Sequence, residues 1–175
     1  MESNPKAGVL DTLRTMIHAD LELVLAWRNH PDVRRYMYTR QEIGLEQHRQ
    51  WFERASQDPR RHLLVFEADG QASGFVNLGE LGSGGIADWG FYAAPGAPAG
   101  TGRRLGRATL HYAFDRLGLH KVCGQVLAYN TKSLRFHQAL GFRQEGVLRD
   151  QHHDEERYHD VICFGLLQRE WQACL

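Results

Sequence analysis

Gly100-Thr101-Gly102-Arg103-Arg104-Leu105-Gly106-Arg107 stands between a segment that reads as a strand, IADWGFYA at 86–93, and one that reads as a helix. At such a junction unpaired backbone amides and the positive end of the helix dipole face an anion, and glycine lets the chain approach it closely. Arg103, Arg104 and Arg107 oppose that dipole, which favours acidic residues, so the spacing points to a phosphate ligand; solvated arginines on an ordinary turn are the alternative. No Gly-Lys-Ser/Thr ending makes it a Walker loop, and no complete GxGxxG follows the first strand. Further on, Asn130-x-x-Ser133-x-x-Phe136-His137-x-x-x-Gly141-Phe142 opens a second helix. There His137 has the proton affinity for acid–base work near neutral pH, or is a helix residue packed on a sheet. Tyr92 is a reserve acid. Glu80, at a strand end, is either a carboxylate able to act as a base or a merely solvated one. Two other groups carry no chemistry: Cys123 in KVCGQV reads as a buried mid-strand thiol, and HHDEER with His159 reads as a solvated hairpin without metal-ligand geometry.

The elements that must position these groups follow from hydrophobic period. Residues 7–16 alternate weakly as a first strand, and His18 and Asp20 open a helix over ELVLAWR that stops near Arg28-Asn29-His30-Pro31. A turn and the short piece DVRRYMYT follow. Leu45, His48, Trp51, Phe52 and Ala55 then give helical spacing over 45–57. LLVFEA, SGFVNLGEL and IADWGFYA, punctuated by Asp69-Gly70 and by Gly82 to Gly85, form two antiparallel hairpins in sequence. Leu105 to Leu117 carry a helical stripe with Gly118 as its C-cap, and KVCGQVL is the strand that a crossover makes parallel to IADWGFYA. GFRQEGVLRDQ and YHDVICFGLL complete the sheet as a last hairpin.

Composition narrows the class. The 175 residues suit one domain over 1–175, with no repeat or linker. With 21 basic and 21 acidic residues the molecule lacks the field of a nucleic-acid or membrane-surface protein, so any phosphate site is local. Three cysteines in no paired spacing argue against a disulfide framework and for a reducing, cytoplasmic setting. No apolar run is long enough to span a bilayer.

The strand, glycine loop, helix and strand, followed by the Asn130–Phe142 pattern, together resemble the GNAT acetyltransferase superfamily over essentially the whole chain. The resemblance implies a mixed α/β fold: a twisted sheet of about seven strands splayed at a parallel pair, with helices on both faces. It implies acetyl-CoA as co-substrate and no metal. Gly100, Thr101, Gly102 and Arg103 would hold the pyrophosphate, Phe91 and Tyr92 would lie at the splay, and Asn130 and Ser133 would face the cofactor. The family's usual loop Gln or Arg is Ala97 here, a loss that Arg103 or Arg104 would compensate. His137 replaces the tyrosine that protonates the departing thiolate. Trp27-Arg28-Asn29-His30-Pro31 with Met37-Tyr38 resembles the N-acetyltransferases of pseudaminic acid biosynthesis, which acetylate a UDP-linked 4-amino-4,6-dideoxy sugar. On that likeness Arg28 and His48 would contact the nucleotide diphosphate, and Met37 and Tyr38 would wall the sugar and base pocket, with Asn77 on the same acceptor side. The plainer reading makes Arg28 a helix C-cap and Met37 and Tyr38 core. A ribosomal-protein-type N-terminal acetyltransferase and a non-catalytic acetyl-CoA-binding protein are the alternatives in function. A homodimer is compatible with the sequence, and no nucleic-acid or membrane partner is expected.

Overall fold

The computed structural model describes residues 11–173, so residues 7–10 of the expected first strand and Cys174 lie outside it. Its elements are β1 (Asp11–Thr15), α1 (Leu21–Asn29), α2 (Pro31–Arg34), α3 (Leu45–Ser56), β2 (Arg61–Ala68), β3 (Gln71–Glu80), β4 (Ile86–Ala93), α4 (Thr101–His111), β5 (Lys121–Leu127), α5 (Thr131–Ala139), β6 (Arg143–His153), β7 (Tyr158–Leu167) and α6 (Gln168–Ala173). The strands form a seven-stranded sheet in the order β1-β2-β3-β4-β5-β7-β6. Its pairings are antiparallel except for β4 with β5, the pair joined by the α4 crossover.

That parallel pairing is short. Ile86, Ala87 and Asp88 match Lys121, Val122 and Cys123, and there the ladder stops. Beyond it, the residues from Trp89 onward pair with β3 and those from Gly124 onward with β7. The sheet therefore opens between β4 and β5 from Trp89 and Gly124.

Strand alternation divides the core between two faces. Leu63, Val65 and Phe75 pack with Met16, Leu21, Val24, Trp27 and Phe52 under α1 and α3. Leu64, Phe66 and Val76 pack under α4 with Leu105, while Leu78, Trp89 and Val122 join Leu110, Phe114 and Leu140 on the same side. Full burial of each such side chain contributes about 1.5–3 kcal/mol. Here α4 and α5 lie in contact, because Gly106 has no side chain; a Cβ there would stand 2.7 Å from both Phe136 Cζ and Leu140 Cδ1.

Three local features depart from the sequence reading. Residues 31–34 form a helical turn rather than an irregular piece, since Pro31 suits the first helical position and His30 Nδ1 caps it by accepting from the Asp32 N–H at 3.2 Å. The helix expected through Leu117 changes to a π turn at Tyr112–Arg116 before Gly118, at φ +64°. Finally, α6 was not anticipated: it buries Trp171 to 1% exposure against His111 and Phe114. No helix among the described residues is long and apolar enough to cross a membrane.

Candidate active site

At the opening of the sheet each residue's parity decides the face it serves. Trp89 and Phe91 turn toward α4 and α5, whereas Tyr92 packs with Phe75 toward α1 and α3. Gly90, between them in the alternation, has nothing within 4 Å of where a Cβ would stand, so the α1/α3 face of β4 is open at the splay. On β5, Val122 and Val126 enter the α4/α5 core, and the exposed Gln125 lies on the other side, where its Oε1 accepts from Tyr38 Oη at 3.0 Å.

The α4/α5 side of the splay is closed. His137 is 2% exposed and is ringed by Trp89, Phe91, Phe136, Phe142 and Phe164. Its Nδ1–H donates to the Ser133 carbonyl at 2.8 Å, and its Nε2 accepts from the Trp89 indole N–H at 3.1 Å. Both nitrogens are thus engaged, and the tautomer these partners select has no proton on Nε2. Burial also pushes its pKa below the ordinary 6.5, and the Ser133 hydrogen bond only partly opposes this. The ring thus bridges α5 and β4, and the acid role expected at His137 would require one of these two bonds to break. Gly124 makes the room, since a Cβ there would lie 2.6 Å from His137 Nε2.

At the start of α4 the glycine loop has the geometry of an anion cradle. Gly100 takes φ +90°, a left-handed value that favours glycine, and has open space around it. The N-cap supplies no side-chain hydrogen bond, and the first turn has no acidic residue. The helical ladder begins with the Arg104 N–H to the Gly100 carbonyl at 3.1 Å, so the Gly102 and Arg103 amides precede it, while Thr101 N–H bonds the Pro98 carbonyl. Arg103 is exposed and unpaired among the described residues. Arg104 is bound elsewhere, to Asp11 at 2.5 Å and to Asp69 at 3.2 Å, and so cannot serve as the compensating phosphate contact. Asn130 ends the turn after β5 as the N-cap of α5, its Oδ1 accepting from the Ser133 N–H at 3.1 Å.

On the α1/α3 face the expected acceptor residues come together in part. Arg28 Nη2 donates to the Thr39 carbonyl at 2.9 Å, while Nη1 is buried without a partner among the described residues. Burial lowers the Arg28 pKa, and Tyr92 lies close enough to oppose that. His48 is 4% exposed and stacks on Trp51, with its Nε2 also unpartnered. Burial chiefly, and the Arg28 charge in addition, hold its pKa below 6.5. The Tyr92 hydroxyl reaches the Val24 carbonyl at 3.4 Å, and burial pushes its pKa well up, so this phenol is a poor reserve acid. Met37 is half-buried beside Tyr38, and Asn77, paired with Gly90, accepts from Arg61 at 3.3 Å.

Glu80 does not join them. Parity along β3 puts it with Val76 and Leu78, where its carboxylate meets His62 Nε2 at 3.2 Å and His62 packs on Tyr112. The expected base thus lies on the far face of the sheet. The carboxylate missed by sequence is Asp88, exposed on β4 at the last paired position before the splay, with the parity of Gly90 and Tyr92. Only the register of β4 against β5 identifies it.

A family model described as an acetyltransferase (GNAT) domain matches residues 12–143. A Campylobacter jejuni protein named acetyltransferase PseH is 32% identical over 148 residues, 82% of this chain and 85% of that one. The spermidine N(1)-acetyltransferase of Vibrio cholerae is 26% identical over 163 residues, 91% and 94% of the two chains. A crystal structure of the Vibrio cholerae spermidine N-acetyltransferase with CoA and spermine superposes with a TM-score of 0.86 at 25% identity, covering 93% of this chain and 98% of that one. A ribosomal-protein-alanine N-acetyltransferase from Brucella melitensis superposes at 0.75 with 25% identity, over 89% and 99%.

Proposed function

The chain belongs to the GNAT acetyltransferase family, and we propose that it transfers the acetyl group of acetyl-CoA directly to the 4-amino group of a UDP-linked 4-amino-4,6-dideoxy sugar. The observation that carries the choice of acceptor is the unpartnered, buried Arg28 Nη1 beside the unpartnered His48 Nε2. A buried guanidinium nitrogen with no partner among the described residues calls for an anion, and a diphosphate supplies it. A polyamine would need the reverse. Asp32 of α2 and Glu42 of the segment that follows are already bound to Arg35 at 3.1 Å and Arg34 at 3.0 Å, and Arg28 has no carboxylate partner among the described residues. The likeness of Trp27-Arg28-Asn29-His30-Pro31 and Met37-Tyr38 to the pseudaminic acid enzymes points the same way.

The residues present suit acetyl-CoA. The Gly102 and Arg103 amides and the Arg103 guanidinium would bind its pyrophosphate on the loop shaped by Gly100 and Thr101, and Phe91, Asn130 and Ser133 would flank its arm in the splay. Bound there, it supplies an activated thioester carbonyl. Burial pushes the Cys123 thiol up, which keeps it protonated and disfavours an acyl-enzyme route. Tyr38 is our candidate donor of the proton that the departing thiolate takes up. Its hydroxyl donates to a neutral amide oxygen at the splay, and the side chain is exposed on that face. A thiol-release assay with UDP-4-amino-4,6-dideoxy-N-acetyl-altrosamine, spermidine and an N-terminal peptide tests the proposal. Preference for the sugar is expected; preference for spermidine or the peptide refutes it.

A further inference from the structure

HHDEER has the composition of a solvated hairpin, yet His152 on β6 is 7% exposed. Its Nε2 is buried and has no partner among the described residues. The ring pairs across to His159 on β7, at 6.4 Å between centroids, and meets the edge of Tyr38 at 5.4 Å. Tyr38 in turn reaches Gln125 at the splay. Resting on the proposed amine acetylation, we propose that His152 is the base that takes the proton from the acceptor amine.

Three observations carry this. First, the contrast with His137 is chemical: that ring has both nitrogens bonded, whereas the buried His152 Nε2 has no partner among the described residues and lies behind the Tyr38 ring, on the sheet face that carries Gln125 and Gly90. Second, the neighbouring imidazole is already committed. His159 Nε2 is bound to Asp154 at 2.5 Å, and its ring packs on Tyr129. Third, the segment carrying Tyr38 is seated on the turn after β5 by Tyr129 Oη to the Arg35 carbonyl at 3.3 Å and by the Tyr36–Tyr129 stack, and on this hairpin by Arg40 near Asp154 at 3.8 Å. The groups facing His152 are thus Tyr38 from the α2–α3 segment and His159 from β7, with the Asp154–Arg40 pair beyond them.

The step balances. The ammonium gives one proton to His152 Nε2, and the neutral nitrogen attacks the thioester carbonyl to form the C–N bond. As the C–S bond breaks, the thiolate takes a proton from Tyr38, and the tetrahedral nitrogen's remaining excess proton restores Tyr38. His152 then releases its proton to solvent. Asp88 is the rival base on this face, an exposed carboxylate on β4, and the variants below separate the two.

The test compares wild type, H152A, H152Q and D88N with acetyl-CoA and whichever of the UDP-amino sugar, spermidine or peptide the wild type acetylates best. H152A and H152Q should each lose about 10²-fold in kcat/KM with acetyl-CoA affinity unchanged, and exogenous imidazole should restore part of the H152A loss. The glutamine variant fills the site but cannot act as the base, so near-wild-type turnover by H152Q overturns the proposal. So does an H152A loss that imidazole does not relieve, or a loss confined to D88N. A wild type that prefers spermidine or the peptide refutes the sugar reading while His152 is still judged on that amine. A wild type inert toward all three overturns both.

Discussion

Replacing His137 with phenylalanine separates a strut from an acid. The substitution keeps an aromatic ring among Phe91, Phe136, Phe142 and Phe164, and because phenylalanine is the larger side chain it leaves no cavity. What disappears is the acceptor for the Trp89 indole N–H, which is left buried without a partner at a cost of about 1–3 kcal/mol. The Ser133 carbonyl loses less, because it sits one turn back in the same helix, within reach of the residue-137 backbone amide. For a chain of this size each kcal/mol moves Tm by about 2–4 °C, so H137F should melt roughly 2–12 °C below wild type. Turnover at a temperature where both are folded should stay within about threefold, against the loss of 10² or more that removal of a general acid brings. Thermal unfolding by circular dichroism and a thiol-release assay on the same preparations read both quantities. A wild-type Tm with turnover down a hundredfold would refute the strut and restore the acid.

The same substitution has a pH signature. His137 has a folded-state pKa below 6.5, so between those two values the unfolded chain binds a proton that the folded one does not. Stability therefore falls as pH drops below about 6.5, by up to about 1.4 kcal/mol per pH unit for each such group. His48 adds a contribution of the same sign. H137F should flatten this slope by one group and leave the His48 share. Asp20, held low by Arg14, acts in a separate window and loses its contribution only as pH falls through and below the ordinary carboxylate range.

R28A should raise the acceptor KM about 10–100-fold, the worth of one charge-assisted hydrogen bond, and leave acetyl-CoA affinity unchanged by calorimetry; an unchanged KM removes Arg28 from the site. G102V should fold normally, because a Cβ at Gly102 meets nothing within 4 Å, yet bind acetyl-CoA at least about tenfold more weakly as its methyls fill the anion cradle. Retained affinity would refute the phosphate loop. Y38F should lower kcat by about 10²-fold without weakening acetyl-CoA binding, and wild-type turnover in that variant would disqualify its phenol as proton donor.

The strands, the crossover and the glycine loop were legible because each rests on local signals: period-2 alternation, turn glycines, and arginines where a helix dipole disfavours them. The last hairpin and its YHDVICFGLL strand were legible for the same reason. What escaped depended on register. Glu80 and Asp88 both look like strand carboxylates in the sequence, and only parity assigns one to His62 behind the sheet and the other to the front of the splay. Arg103 and Arg104 likewise differ by one position, yet Asp11 and Asp69, distant in sequence, claim only the second. The π turn and α6 were missed because their cause is Trp171 packing onto Phe114, a contact between segments far apart in the chain.

Residue type alone also failed to separate the histidines, and the physical discriminator is the state of their nitrogens. An imidazole meant only to pack must have its polar atoms satisfied, because an orphaned buried nitrogen costs free energy with no return. His137 meets that requirement, with an indole on one side and a helix carbonyl on the other. His48 and His152 do not, and neither does Arg28. These three lie on the α1/α3 face of the sheet opening, the first with Arg28 near Tyr92, the second with Tyr38 near Gln125. On the proposed function, the stabilisation they forgo in the free protein would be recovered by an acceptor that offers an anion at one end and an amine proton at the other. Such an acceptor binds by completing hydrogen bonds that the fold has left open, so its affinity should fall most when a partner atom is deleted from the ligand itself: a sugar lacking the diphosphate should lose binding as R28A does, with no further loss when the two are combined.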